Sequence, residues 1–357
     1  MTRLKARIVD LIEALGPIPV SEYMALCLSD PRDGYYMTRD PFGRGGDFTT
    51  APEVSQMFGE LIGVWIIETW RAMGSPKRAM ISEIGPGRGT LVRDMARTIG
   101  KLAPELRDAT RFKLIEISGK LRLAQATTLQ GTGGTFDWYS SVDELPKRPL
   151  IIVGNELFDA IPIRQYVKTP TGWRERMVDI DRDENLRFIA GAGSVDPDLL
   201  PPDAANAPDG SIVELAPQRT VLMQKIAEHI ARYGGAGLFI DYGYLQPALG
   251  DTLQALRKHQ YDDVFASPGE ADITAHVDFA ALAAEAARHG LSTSLATQGD
   301  FLLDQGLLER AGKLGGPLDA AGRARIESEV MRLASPKEMG SLFKMLIVRR
   351  EPKPIKR

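Results

Sequence analysis

The chain of 357 residues is 43% apolar and 25% charged, the composition of a globular protein able to build an extensive core, as one large domain or a domain with sizeable insertions. Its 44 Lys and Arg against 47 Asp and Glu leave a net charge of −3, which gives no reason to expect nucleic acid as the main partner. The single cysteine, Cys27, excludes an intramolecular disulfide and a cysteine-rich metal site, and no apolar run is long enough to span a membrane.

In chain order, Leu4, Ile8, Leu11, Ile12 and Leu15 recur at helical spacing, and Gly16-Pro17 stops that helix. The charged opening lacks a signal-type apolar region, and Asp10 and Glu13 count against a transit peptide, so a cytoplasmic protein is expected. Ser21 is placed to cap a second helix with Met24, Ala25 and Leu28 on one face. Cys27 sits among Met24, Leu26 and Leu28 and reads as a buried structural thiol. Ser29 to Pro52 is a long loop rich in Gly, Pro and Asp, of the length that usually carries function in a compact domain. Glu53 to Ala72 reads as one long helix, with Val54, Phe58, Leu61, Ile62, Trp65, Ile66 and Trp70 as core positions.

Ala79 opens a strand–helix alternation. An apolar run ends in Glu83; Gly85, Gly87 and Gly89 follow at alternate positions; Thr90 opens an apolar-periodic helix. Glycines let the backbone turn sharply and approach a ligand closely, and the helix start beyond offers free N–H donors. The dinucleotide fingerprint G-x-G-x-x-G fits at Gly85 and Gly87 but meets Thr90 at its third position. An acid at Glu83 repels a pyrophosphate and suits a cation. The pattern E-x-G-x-G-x-G therefore favours S-adenosylmethionine over a nicotinamide dinucleotide, the plainer alternative being an ordinary strand-to-helix turn.

Phe112 to Ile117 is a second strand, whose Glu116, with Ile117 beside it, stands where a carboxylate accepts both ribose hydroxyls of a nucleoside cofactor. Phe136 to Tyr139 is a third, ending at Ser140 and Ser141. Pro149 to Gly154 is a fourth, continuously apolar as buried parallel strands are, and runs into Asn155, Glu156 and, a turn later, Asp159. Then the rhythm changes to a hairpin, Gln165 to Lys168 and Trp173 to Asp179, a strand near Leu186 to Ile189, and a Gly/Pro/Asp-rich stretch over 191–210. Residues of about 160–215 are read as a β-rich insertion. Ala216 to Tyr233 is helical, Gly237 to Tyr242 a fifth strand ending in Asp241, and Thr252 to Arg257 a further candidate strand. Val277 to His289, Phe301 to Leu314 and Ala320 to Leu333 read as helices, Leu291 to Thr297 and Leu342 to Arg349 as strands.

In open α/β sheets ligands bind beyond the carboxyl ends of the strands. Glu83, Glu116, Asn155, Glu156 and Asp241 gather there. Carboxylates converging on one crevice call for cations. The ammonium of the cofactor accounts for Glu83 and its ribose for Glu116. Glu156 and Asp159 remain, and they suit a cationic nucleophile such as a guanidinium, which a carboxylate holds through two bonds; equally, Glu156 binds the cofactor or caps a helix. His276 is read as a hydrogen-bonded structural residue, with proton transfer as the alternative.

Three stretches carry a family resemblance: Gly45-Gly46-Asp47-Phe48-Thr49-Thr50-Ala51-Pro52-Glu53 with its continuation to Glu60; Glu83-Ile84-Gly85-Pro86-Gly87-Arg88-Gly89-Thr90-Leu91; and Asn155-Glu156-Leu157-Phe158-Asp159-Ala160-Ile161-Pro162. Together they resemble the MidA-like family of class I S-adenosylmethionine-dependent methyltransferases, which includes the mitochondrial complex I assembly factor that methylates protein arginine. The resemblance implies an α/β, Rossmann-like seven-stranded methyltransferase sheet over residues 76–357 and an N-terminal helical extension with a cofactor lid over residues 1–75. It implies that Asp47, Phe48, Thr49, Thr50 and Glu53 close over the cofactor, joining Glu83, Gly85, Pro86, Gly87, Gly89, Thr90, Glu116, Ile117, Ser140, Ser141 and Asn155 as cofactor-binding residues, with Glu156, Asp159 and His276 as catalytic residues and no metal. The expectation is a bacterial relative acting on a protein substrate such as a complex I-type subunit, with no membrane insertion, and with a homodimer as its own partner. The competing readings are a non-catalytic respiratory-complex assembly factor that retains the cofactor pocket and an NAD-dependent oxidoreductase.

Overall fold

The computed structural model describes residues 2–38 and 50–351. Two compact units divide the chain. The first comprises Met1–Phe48, Phe158–Val221 and Gln246–Asp278; the second comprises Thr49–Leu157, Leu222–Leu245 and Phe279–Arg357.

The second unit is built on a seven-strand path. Its strands are β1 (Met80–Ile84), β2 (Arg111–Ile115), β3 (Phe136–Tyr139), β4 (Leu150–Asn155), β5 (Gly235–Tyr244), β6 (Ser292–Thr297) and β7 (Phe343–Arg349), in the order β3-β2-β1-β4-β5-β7-β6. The first five are parallel to one another. Only β7 runs against both of its partners, β5 and β6. Every residue of β1 and β4 is buried, which is why these stretches read as continuous rather than alternating apolar runs. The order grows outward in opposite directions from β1 and β4, so the crevice between them is the ligand position of an open α/β sheet.

The Gln56–Ala72 helix and the Thr90–Leu102 helix pack together over this sheet, with Phe58, Leu61, Ile62, Met95 and Ile99 in one core with Ile81 and Val153. Two glycines allow that approach. A β-carbon on Gly59 would lie 2.7 Å from Asp94 Cβ, and one on Gly63 would lie 3.0 Å from Thr98 Cβ, so the helices meet where neither glycine has a side chain. The single helix expected over Glu53 to Ala72 is two. Ala51–Val54 stops at Ser55, whose backbone is extended (φ −156°, ψ 140°) and whose hydroxyl caps Gln56–Ala72 by accepting the Met57 N–H. Ser55 Oγ in turn donates to Glu329 at 2.7 Å. Likewise the helix expected over Phe301 to Leu314 is Gln298–Asp304 followed by Leu307–Gly315, parted at Gly306 with φ +88°. The helix expected from Val277 starts at Phe279.

The first unit holds a five-stranded antiparallel sheet, in which Gly172–Ile180 pairs with Ile18–Pro19, Arg164–Thr169 and Leu186–Ser194, and Arg164–Thr169 pairs with Ile212–Leu215. The helices Arg3–Leu15 and Val20–Ser29 bury Leu4, Ile8, Ile12, Tyr23, Met24 and Cys27 with Ile163, Val178 and Leu186. The N-terminal helices and the β-rich segment, drawn separately in the sequence, thus share one core. Ser21 is not the cap of the second helix. That helix starts at Val20, with Pro19 (φ −60°, ψ 150°) as its N-cap and no side-chain cap bond. Among the described residues, no helix is long and apolar enough to cross a membrane.

Candidate active site

The site is taken up within the second unit, at the carboxyl ends of β1 to β4. Beyond β1 the chain turns through Gly85, Gly87 and Gly89 with φ of +67°, +54° and +83°, values that L side chains adopt only under strain. The Gly85 N–H donates to Ile115 O at 3.0 Å and the Gly89 N–H to Pro86 O at 2.8 Å. A β-carbon on Gly85 would sit 3.1 Å from Leu157 Cδ1. Gly89 is the N-cap of the Thr90–Leu102 helix and supplies no side-chain acceptor, so N–H groups at that helix start are left for a ligand or solvent.

Glu83 meets the same helix from beneath. It is 2% exposed and accepts a hydrogen bond from the Val92 N–H; burial dominates, pushing its carboxyl up to about 8. Its Oε2 has no hydrogen-bond partner among the described residues. The sequence reading assigns Glu83 to the cofactor; the structure places it under the helix start, bonded to the Val92 N–H. From the other side Thr90 Oγ1 donates to Glu53 Oε1 at 2.7 Å. This pins the short Ala51–Val54 helix, with buried Thr50 before it, beside the glycines. Asp47, Phe48 and Thr49 lie outside the described residues.

At the tip of β2, Glu116 accepts the Ser118 N–H at 2.8 Å and Gln125 Nε2 at 3.2 Å. Burial raises its pKa, and those two bonds oppose the rise. Ile117, next in the chain, is 69% exposed. Gln125 is wholly buried and ties three strand ends together: its Nε2 also donates to Gly87 O at 2.9 Å, and its Oε1 accepts Trp138 Nε1 at 2.8 Å. Arg122, three residues earlier, donates to Glu116 O, Tyr139 O and Ser140 Oγ. The Ser140 N–H reaches Glu144 at 2.9 Å, and Ser141 is extended at the start of the Val142–Glu144 turn. Neither Gln125 nor Arg122 figures among the sequence candidates. The available signal was a glutamine four residues after Leu121, on the buried face of the Gly119–Thr128 helix.

At the tip of β4, Asn155 Nδ2 donates to Glu156 Oε1 at 3.0 Å, while the buried Asn155 Oδ1 has no partner among the described residues. Glu156 has φ +49°, a left-handed conformation that is strained for a non-glycine residue, and its N–H donates to Ile240 O at 2.8 Å. Asp241, fully buried, holds the exit of the strand by accepting the Leu157 N–H at 3.1 Å and the Tyr242 N–H at 2.9 Å.

Asp159 and His276 lie in the first unit. Their main chains are arranged around Arg219, which is 3% exposed. Its guanidinium donates to Asp159 O at 3.1 Å, to Ala275 O at 3.1 Å and to His276 O at 2.6 Å. The His276 N–H donates to Thr252 Oγ1 at 2.9 Å. The second unit therefore gathers the glycine turn, Glu53, Glu116, Ser140, Asn155 and Glu156, without Asp159 or His276.

With this geometry, a profile of S-adenosyl-L-methionine-dependent methyltransferases matches residues 61–297. The chain belongs to this methyltransferase family. It is 37% identical to the mitochondrial protein arginine methyltransferase NDUFAF7 of Danio rerio, covering 94% of this chain and 84% of that one. The human protein of the same name is 34% identical, with 96% and 82% covered. Among solved structures, the chain is similar to a Burkholderia thailandensis protein bound to S-adenosyl-homocysteine, with a TM-score of 0.85 and 30% identity over 97% of this chain and 92% of that one.

S-adenosylmethionine is the cofactor of the methyltransferase, which sets aside the NAD-dependent alternative. The residues present fit it. Gly85, Gly87 and Gly89 present bare backbone at positive φ, the N-cap of the helix beyond supplies no side-chain cap, and a carboxylate stands at the end of β2.

Proposed function

We propose that the methyltransferase transfers a methyl group to an arginine of a protein substrate, with a subunit of a complex I-type respiratory assembly as the target class, in the bacterial cytoplasm. The relatives at 34–37% identity that bear the arginine methyltransferase name support this reading. The observation that carries it is Glu156, a carboxylate held in a strained conformation at the tip of β4, next to the crevice where the strand order reverses.

When bound, the cofactor supplies an electrophilic methyl on a sulfonium. Gly85, Pro86, Gly87, Gly89 and Thr90 line its approach, Glu116 accepts from its ribose hydroxyls, and Thr50 and Glu53 close over it. Ile117, Ser140, Ser141 and Asn155 complete the adenosyl side. Glu83 is a positioning residue, fixing the helix start from below. Glu156 accepts N–H bonds from the substrate guanidinium and orients one nitrogen lone pair in line with the methyl–sulfur bond. The carbon–nitrogen bond forms as the carbon–sulfur bond breaks, the electron pair stays on sulfur, and the surplus guanidinium proton leaves to solvent.

Glu156→Gln keeps the shape of the side chain and removes the charge. It should lower methyl transfer by roughly 100-fold or more, the scale of losing a transition-state electrostatic contact, while calorimetry shows S-adenosylmethionine bound about as tightly as before. A parallel loss of cofactor affinity would instead assign Glu156 to the cofactor.

A further inference from the structure

The sheet of the second unit has a second opening, at the end away from the glycine turn. There Pro149, Gly235 at the start of β5 and Arg349 at the end of β7 border a cavity of about 610 Å³, a volume typical of small-molecule sites. One wall comes from the last two turns of the Gln56–Ala72 helix.

The polar groups of that wall are unusual. Trp65 Nε1, Thr69 Oγ1 and Gln305 Oε1 are buried and have no hydrogen-bond partner among the described residues, and all three residues line the cavity. Trp65 is 2% exposed and Thr69 6%. Spaced by four, they lie one above the other on a single helix face. The neighbouring Trp70 is an internal contrast, because its Nε1 donates to Pro76 O at 3.1 Å. A buried donor or acceptor left unmade is costly, and native proteins satisfy nearly all of them. Three such groups around one cavity mark a site whose complement is not among the described residues.

The chemistry of the complement follows from the groups. Indole N–H only donates, the Gln305 carbonyl oxygen only accepts, and the threonine hydroxyl does either. The ligand therefore accepts at one point and donates at another. The charged lining residues balance, Arg349 and Arg350 against Glu68 and Glu351, so the cavity selects no net charge. The Arg349 guanidinium lies 6.0 Å from the centre of the Trp65 ring, and Ala72, Met73 and Tyr233 add apolar and aromatic wall. We propose that this cavity is a second binding site, for an uncharged small molecule whose apolar or aromatic body carries a carboxamide or lactam edge.

The test uses the full chain and three probes that share one body: benzamide, benzoate and benzylamine. Saturation-transfer NMR titration should show benzamide binding in the millimolar range. It should bind about tenfold more tightly than either charged probe, the scale of one or two hydrogen bonds to buried partners. Trp65→Phe keeps an aromatic ring and loses the indole donor together with its pyrrole ring; Gln305→Leu loses the acceptor. Each should weaken benzamide about tenfold and leave S-adenosylmethionine affinity unchanged. Should Trp65→Phe fail to fold, the near-isosteric Thr69→Val carries the same expectation. The proposal is overturned if benzamide does not bind at about 10 mM to a chain that binds S-adenosylmethionine. Affinity unmoved by the substitutions, or a charged probe that binds more tightly, would overturn it as well.

Discussion

Glu83 keeps a proton in the folded protein that the unfolded chain gives up. Its folded pKa is about 8 against an ordinary 4.5, because burial penalises the carboxylate more than the Val92 N–H favours it. Above 4.5 the unfolded state loses this proton while the native state retains it, so stability falls as pH rises toward 8 and the decline ends beyond 8. Glu83→Gln fixes the neutral form. In urea denaturation at pH 5 and pH 8 the native protein should lose on the order of a few kcal/mol more than the variant; parallel losses would show that Glu83 does not titrate in this window. Glu116 tests the ribose contact. Glu116→Gln should weaken S-adenosylmethionine by about 1.5–3 kcal/mol, roughly 10- to 100-fold, as expected for a bond to a charged acceptor, and calorimetry reads this directly. Both acids were legible as strand-end carboxylates following the rhythm of glycines and apolar runs. The bond from Glu83 to the Val92 N–H was not, because all of β1 is buried and the contact forms only when the helix folds back over the strand. Gln125 was hidden for a related reason. A glutamine reads as a solvated helix position until its two strand-end partners and Trp138 are brought to it by the fold.

The elements followed from periodicity where local forces decide. Strands β1 to β7 and the Thr90–Leu102 helix lie within a few residues of their expected bounds. Breaks set by single residues escaped, since Ser55 and Gly306 interrupt apolar patterns that continue on either side. Pairings made far along the chain escaped too. Ile18–Pro19 lies against Met177 and Val178, and Ile212–Leu215, also unexpected, pairs with Arg164–Thr169. The glycines at positions 59 and 63 were an unread signal of helix contact. Gly59→Ala puts a β-carbon 2.7 Å from Asp94 Cβ, so the two helices must part. The expected cost is about 1–3 kcal/mol of stability, as for other overpacked sites, measured by thermal or urea unfolding. Unchanged stability would mean that the helices part without loss.

At the scale of the molecule, a methyltransferase sheet carries a glycine turn, two strand-end acids and a strained Glu156 on one unit, and the N-terminal helices share a core with the β-rich segment in the other. The donor is S-adenosylmethionine; the acceptor is the central claim. Quantitative mass spectrometry of the source organism's respiratory-complex subunits, with and without this protein, addresses it most directly. The account predicts a methylated arginine that is lost when the protein is removed and restored by the native chain but not by Glu156→Gln. An unchanged set of methylarginines, or a methyl group lost from another residue type, would contradict it.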